Sequence, residues 1–323
     1  MIKTGVIGVG HLGRHHARWY NSLKNCRLVG VYDTDADKGR QVAGEFGVTA
    51  FAELDEMIDR VEAASVVVPT SGHFEVARKL ISRGIHCLIE KPIAVSVEQA
   101  DRLVELAGQS GVVLTVGHIE RFNPAVMALN KYDIEPRFIE AHRLAPFDPR
   151  GTDVAVILDL MIHDIELTRH FIRSGVVRID ASAVAVVSDN ADIANARLTF
   201  ANGAVANLTA SRISLRPMRK LRIFQKSGYF SLDLAAKRAD IYRLADDSST
   251  DDGMRIPLGK SGREIIYNKA GSADDDMLSM ELDAFLKAIE TGSPPEVTVA
   301  DAAEALRIAS EIDRIGRAGG AAS

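Results

Sequence analysis

Cysteine is scarce. Cys26 and Cys87 are the only two in 323 residues, and both stand beside apolar segments, as small buried hydrophobes of a reducing compartment do. Positive charge is not in excess either. Lys and Arg number 39 against 44 Asp and Glu, for a net charge of -5 and a pI near 6.0. That balance offers no electrostatic footprint for nucleic acid or for an anionic membrane, and neither is an expected partner. Long apolar runs are missing. Stretches such as "VAVIL" stop far short of the ~20 residues that cross a bilayer. The opening "MIKTGVIGVG" enters a strand pattern with no charged, apolar or small-residue leader regions. No export signal is visible, and a cytoplasmic protein is expected. Repeats and low-complexity segments are absent. The acidic "LADDSSTDDG" and Asp274 to Asp276 have no fixed ligand spacing, so they read as solvated loops and no metal is expected.

What is present is a globular balance, 46% hydrophobic and 26% charged, over a length that suits two domains. The first 120 residues alternate short apolar strands ("TGVIG", "LVGVYD", "ASVVVP", "HCLIE", "VLTVG") with amphipathic helices. Several of those helices begin at Ser or Asp and end at Gly. That is the pattern of a doubly wound parallel sheet. From 121 to 323 the pattern changes. "RFIEAHRLAP" reads as a strand and "VAVILDLMIHDIELTRHFIRSG" as one long helix ending at Gly175. A β-rich stretch follows, with hairpin turns at Asn202-Gly203 and Ser227-Gly228, and then two amphipathic helices. The expected architecture is α/β, with an N-terminal Rossmann domain (1–120) and a C-terminal α+β domain (121–323) carrying a large, mostly antiparallel sheet.

Gly8, Gly10 and Gly13 have G-x-G-x-x-G spacing between a strand and a helix. Such a turn lets backbone approach a pyrophosphate at Gly10 and aims free helix N–H groups at it. The second strand ends at Asp33, where an acid bonds the adenosine ribose hydroxyls. An aspartate there repels a 2'-phosphate, and no arginine follows it in "YDTDADK", so the cofactor is read as NAD rather than NADP. His11 and His15 have i,i+4 spacing but no third ligand, and read as solvated or packed residues. "LIEKPIAVS" places Glu90, Lys91 and Pro92 at the carboxyl end of a core strand, the edge where open α/β sheets bind ligands. In "DLMIHDIEL", Asp159 and His163 lie one helical turn apart inside an apolar run.

Taken in order and spacing, the glycine fingerprint, "VVVPTSGHFEVA", "EKP" and Asp159, His163 and Asp164 resemble the glucose-fructose oxidoreductase / inositol dehydrogenase / MocA (Gfo/Idh/MocA) family over nearly the whole chain. "GHIERFNPAV" and "FDPRGTDVAVILDLMIHDIEL" most resemble its UDP-N-acetylglucosamine 3-dehydrogenases, which supply a 3-amino sugar for lipid A.

The resemblance implies a cofactor surface of Gly8, Gly10, His11, Leu12, Gly13, Asp33, Pro69, Thr70, His73, Glu90 and Lys91. It implies His163 as proton acceptor, Asp159 as its orienting partner and Lys91 as the cation at the developing alkoxide. Asp164 points about 100° away from His163 and is read as polar support. Arg121, Asn123, Arg143 and Arg150, with Lys91, Asp159 and His163, are the candidate substrate contacts; His142 lies in the same segments. Arginine forks suit the diphosphate of a UDP-sugar. Met161 and "VAV" stand where the family usually has glycines, a bulkier wall than inositol or glucose enzymes have. The expected partners are a UDP-sugar, a pyridoxal-phosphate-dependent aminotransferase downstream and further copies of the chain, as a homodimer or homotetramer. A free-polyol or aldose dehydrogenase and an NAD-using glycosidase are the alternatives.

Overall fold

The structure is a computed structural model that describes residues 1–148, 154–245, 253–271 and 274–320. The chain divides into two compact units: Met1–Ile119 with Asp276–Arg307, and Glu120–Asp275 with Ile308–Ser323.

The first unit is built on six parallel strands, β1 (Ile2–Ile7), β2 (Cys26–Tyr32), β3 (Thr49–Ala50), β4 (Ala63–Val66), β5 (His86–Glu90) and β6 (Leu114–Gly117). Their order is β3-β2-β1-β4-β5-β6. The helices α1 (His11–Ser22), α2 (Ala36–Phe46), α3 (Leu54–Ile58), α4 (Thr70–Ser82) and α5 (Val97–Ser110) connect them. Chain order reverses between β1 and β4, which makes their carboxyl ends the topological switch point where ligands bind in such sheets. Local chemistry supports the expected helix limits: Asp35 caps α2 by accepting from the Asp37 and Lys38 amides, and Ser96 caps α5 through the Gln99 amide. Cys26 and Cys87 are buried free thiols, and burial pushes Cys26 up to about 11.

The second unit holds α6 (Pro124–Met127), β7 (Phe138–Leu144), α7 (Ile162–Ile172), β8 (Val176–Val184), β9 (Ile193–Phe200), β10 (Val205–Ser211), β11 (Met218–Gln225), β12 (Gly228–Asp233), β13 (Arg238–Leu244), β14 (Met254–Pro257) and β15 (Glu264–Ala270). Its nine strands run β14-β15-β13-β12-β11-β7-β10-β9-β8. Neighbours are antiparallel except β7 with β10, which are parallel. One face buries Ile139, Ala141, Leu208, Leu221, Ile223, Phe230, Leu232 and Ile241. The alternate residues of the other face form a row of rings, Phe138, Phe224, Tyr229, Tyr242 and Tyr267, with successive centroids 5.5, 4.8, 5.5 and 4.9 Å apart.

Three sequence expectations shift. The hairpin turn of β9 and β10 forms at Asn202-Gly203, whereas that of β11 and β12 lies one residue early. Gly228 already opens β12 there, where a Cβ would stand 2.5 Å from the Tyr242 carbonyl oxygen, so the close approach of β13 calls for glycine. The long helix does not reach Gly175: α7 ends at Ile172, with Arg173 in the left-handed conformation at φ 52°. Finally, α8 (Met277–Thr291) and the start of α9 (Val299–Gly320) cluster with the first unit, although the sequence pattern groups them with 121–323. Leu278, Leu282, Phe285 and Leu286 of α8 join the core of Ala17, Tyr20 and Leu28. Side chains of that size contribute about 1.5–3 kcal/mol each on burial. Among the described residues no helix is long and apolar enough to cross a membrane.

Candidate active site

In the first unit the glycine turn has the geometry its spacing predicts. Gly8 has φ 85°, and its N–H donates to the Tyr32 carbonyl at 2.8 Å. A Cβ on Gly13 would stand 1.9 Å from the Gly8 carbonyl oxygen, so only glycine lets α1 pack this close to the turn. A Cβ on Gly10 would meet nothing within 4 Å, which leaves open space over the first turn of α1. No side chain caps that turn and no acid lies in it, so its amide groups face an anion site. Asp33 closes the loop: Oδ2 accepts the Val9 N–H at 2.7 Å and Oδ1 the Asp35 N–H at 2.9 Å. Glycine cradle, uncapped helix start and strand-end acid together fit the dinucleotide. His11 and Leu12 are exposed on the first turn of α1, Pro69 is exposed and Thr70 partly so at the start of α4.

Two further residues expected on the cofactor surface have interior partners. His73 is 1% exposed, with the Pro92 carbonyl 2.8 Å from Nδ1 and the Val68 carbonyl 2.9 Å from Nε2, and the neutral ring donates to one of the two at a time. Burial lowers its pKa, against the pull of those carbonyls. Glu90 points inward as well. Its Oε1 lies 3.2 Å from His16 Nε2, and its Oε2 accepts the Lys91 N–H at 3.2 Å. The Lys91 side chain leaves from this edge and is half-buried, next to the cis peptide that links it to Pro92.

In the second unit, Asp159 and His163 sit where the helix changes gauge. Ile157–Met161 form a wide π-turn that leads directly into α7. Such turns are frequent at functional sites. Around them Ile157, Met161, Ile162, Asp164 and Ile165 are buried, whereas Asp159 and His163, like Leu158 and Leu160, are half-buried. Met161, expected as a bulkier wall, is fully buried.

The arginine candidates fare differently. Arg143 is 3% exposed and fully committed: its guanidinium donates to Asp164 through Nε and Nη2 at 3.1 and 2.9 Å, and to Glu120 through Nη1 at 2.8 Å. Burial works against this cation, but the two carboxylates outweigh burial and raise its pKa. Asn123, fully buried, caps α6 through the Ala125 amide and donates to Glu120 and to the Leu234 carbonyl. Arg121 donates to Glu166 at 2.7 Å. The geometry gives each of these three candidate substrate contacts a partner within the protein. His142 lies on the half-open face of the sheet, and Arg150 lies outside the described residues.

Nothing in the sequence pattern singles out Glu281. This α8 residue is 3% exposed among Leu278, Leu282 and Phe285, and neither carboxyl oxygen has a hydrogen-bond partner among the described residues. Burial, with nearby Glu90, raises its pKa well above the usual 4.5. The folded state therefore holds a proton that the unfolded chain releases above about that pH. Glu281's contribution is complete below pH 4.5 and is lost as pH rises toward the folded value. Glu281→Gln should remove that slope. Urea unfolding is expected to show the variant more stable by about 1–2 kcal/mol at pH 8, with little difference near the unfolded pKa of 4.5. A gap independent of pH would show that Glu281 is not protonated in the fold.

Residues 2–118 match the GFO_IDH_MocA family, described as an oxidoreductase family with an NAD-binding Rossmann fold, and residues 135–231 match the GFO/IDH/MocA C-terminal domain. The chain is 42% identical over 294 residues to the UDP-N-acetylglucosamine 3-dehydrogenase of Acidithiobacillus ferrooxidans, covering 91% of this chain and 90% of the relative. It is 24% identical to the myo-inositol 2-dehydrogenase of Thermotoga maritima, over 94% and 93% of the two chains. A solved structure of the Acidithiobacillus enzyme, GnnA, superposes with a TM-score of 0.88 at 38% identity, covering 98% of each chain. With a glycine cradle fitted to a dinucleotide and relatives of this kind, the chain belongs to the Gfo/Idh/MocA family of NAD-binding oxidoreductases and is a dehydrogenase.

Proposed function

We propose that the protein oxidises the 3-hydroxyl of UDP-N-acetylglucosamine to the 3-keto sugar. The observation that carries this reading is the 42% identity, over nine-tenths of the chain, to a relative of that activity. Bound NAD supplies the acceptor for the hydrogen that leaves carbon with its electron pair. The chain's own residues handle the proton. His163 takes it from the sugar hydroxyl, and Asp159, one turn earlier, orients the imidazole and stabilises its cationic form. Lys91 stabilises the oxygen as negative charge develops on it and the C–O bond becomes C=O. The Asp33 carboxylate at the end of β2 receives the ribose hydroxyls and disfavours a 2'-phosphate.

A 3-keto sugar can take its amino group from an amino-acid donor, which leaves as the keto acid, so a pyridoxal-phosphate-dependent aminotransferase is the partner that consumes it, in the cytoplasm, on the way to a 3-amino sugar for lipid A. The row of rings on the half-open face of the nine-stranded sheet supports a homodimer or homotetramer, since such a face gains by being covered. The free sugar is the comparison that tests whether the uridine diphosphate is needed.

The test is NADH absorbance with NAD and UDP-N-acetylglucosamine, run beside free N-acetylglucosamine, myo-inositol and glucose, with an aminotransferase drawing off product. Signal confined to the nucleotide sugar is the expected result. Signal on myo-inositol or glucose would replace the substrate and keep the chemistry, and release of free sugar without net NADH would point to glycoside cleavage.

A further inference from the structure

Four polar side chains form a buried chain in the first unit that the proposed chemistry does not use. Tyr20 O–H lies 2.9 Å from Ser65 Oγ, Ser65 Oγ lies 3.0 Å from His16 Nδ1, and His16 Nε2 lies 3.2 Å from Glu90 Oε1. Tyr20, Ser65 and His16 are all at most 1% exposed. Only one direction of donation satisfies every member. The carboxylate can only accept, so His16 Nε2–H donates to it; Nδ1 then accepts from Ser65, whose oxygen accepts from Tyr20. Burial holds the Tyr20 phenol protonated, as a donor at the head of the chain must be. The far end is shaped to receive the carboxyl group: a Cβ on Gly117 would stand 2.8 Å from Glu90 Oε1 and 3.1 Å from Oε2. Ser65 of β4 and Glu90 of β5 are thereby tied to α1 through the two nitrogens of His16, and Gly117 of β6 leaves the room that the carboxyl group occupies.

That carboxylate also accepts the Lys91 N–H. On the other side of Lys91, the Pro92 carbonyl lies 2.8 Å from His73 Nδ1. We propose that His16 and His73 are positioning residues for Lys91, His16 acting through the Glu90 carboxylate and His73 through the Pro92 carbonyl, so that the backbone carrying the lysine is pinned on both flanks. An alkoxide-stabilising cation on a flexible stem needs a fixed root, because a shift of an ångström at the charge weakens its action on the reacting oxygen. The inference rests on the reading of Lys91 as that cation.

The experiment combines turnover with a measurement on the cofactor-free protein. Lys91 is labelled with limiting acetic anhydride and its modification rate is read by peptide mass spectrometry, while kcat, KM and the NAD dissociation constant are measured for the same variants. His16→Ala, Ser65→Ala and Gly117→Ala should each lower kcat at least fivefold and change the Lys91 labelling rate at least threefold, with KM for the sugar within threefold. His16→Gln, whose amide can donate to Glu90 and accept from Ser65, should recover most of both, and His73→Ala should repeat the effect from the other flank. Ser65→Ala removes a single oxygen, and it decides the matter where His16→Ala does not fold. Labelling and kcat within twofold of the parent in Ser65→Ala and Gly117→Ala would overturn the proposal, even with a lowered melting temperature. Full turnover in Lys91→Ala would instead remove the reading of Lys91 itself, and the labelling rates would still report whether the two histidines hold its backbone.

Discussion

His163→Ala is expected to lower kcat/KM for sugar oxidation by about a thousandfold, equivalent to about 4 kcal/mol of transition-state stabilisation. The magnitude follows from what is lost. A secondary hydroxyl is a very weak acid, and without a positioned base its proton must leave to water while the C–H bond breaks. The surroundings of His163 explain why the loss should be kinetic rather than structural. It is half-buried, as Asp159 is, whereas the residue that ties this helix to the sheet is its neighbour Asp164, turned away into Arg143. Circular dichroism and melting temperature should therefore change little. The NAD dissociation constant should stay within about twofold, since the glycine cradle and Asp33 belong to the first unit. Added imidazole should restore part of the rate by supplying the missing base. Asp159→Asn should lose less, keeping the base but weakening its orientation. Turnover of His163→Ala within tenfold of the parent would take His163 out of the mechanism and leave Lys91 as the residue to explain the rate.

The parts of this molecule that can be read from the sequence are those set by short-range rules. Glycine spacing after a strand fixes a turn whether or not the rest of the chain is known, and Gly8, Gly10 and Gly13 adopt it. Caps such as Asp35 and Ser96 act within four residues. Partners far apart in sequence are out of reach. Arg143 finds its carboxylates 21 and 23 residues away across a strand and a helix, and nothing in its own neighbourhood distinguishes it from an arginine awaiting a phosphate. His73 reads as a helix residue near a cofactor edge, because the carbonyls that hold it belong to two separate loops. An amphipathic helix shows that it has an apolar face but not which core receives it, so α8 could not be assigned to the first unit. The end of α7 escapes for another reason. Glycine is the usual left-handed residue after a helix, yet Arg173 takes that conformation two residues before Gly175.

Arg143→Ala is expected to destabilise the second unit by about 3–5 kcal/mol, the usual cost of removing one partner from a buried ionic cluster. Glu120 and Asp164 are 4% and 2% exposed. Without the guanidinium they would face each other as carboxylates out of water, and one would have to take up a proton or admit solvent. For a unit of this size the melting transition should fall by about 10 °C. The Asn123 bond to Glu120 would survive and limit the damage on that side, so α7, held through Asp164, should loosen first. The contrast with a triple variant separates charge from packing. Arg143→Met, Glu120→Gln and Asp164→Leu together remove every charge while keeping volume, and the amide oxygen introduced by Glu120→Gln still accepts from Asn123. That protein should recover to within about 1–2 kcal/mol of the parent, because a buried ion pair contributes little net stability once its desolvation is counted. Equal instability of the single and triple variants would mean that the arginine acts by filling space, not by neutralising the two acids. Recovery of stability without recovery of turnover would show that the cluster also holds α7 at the angle from which His163 works.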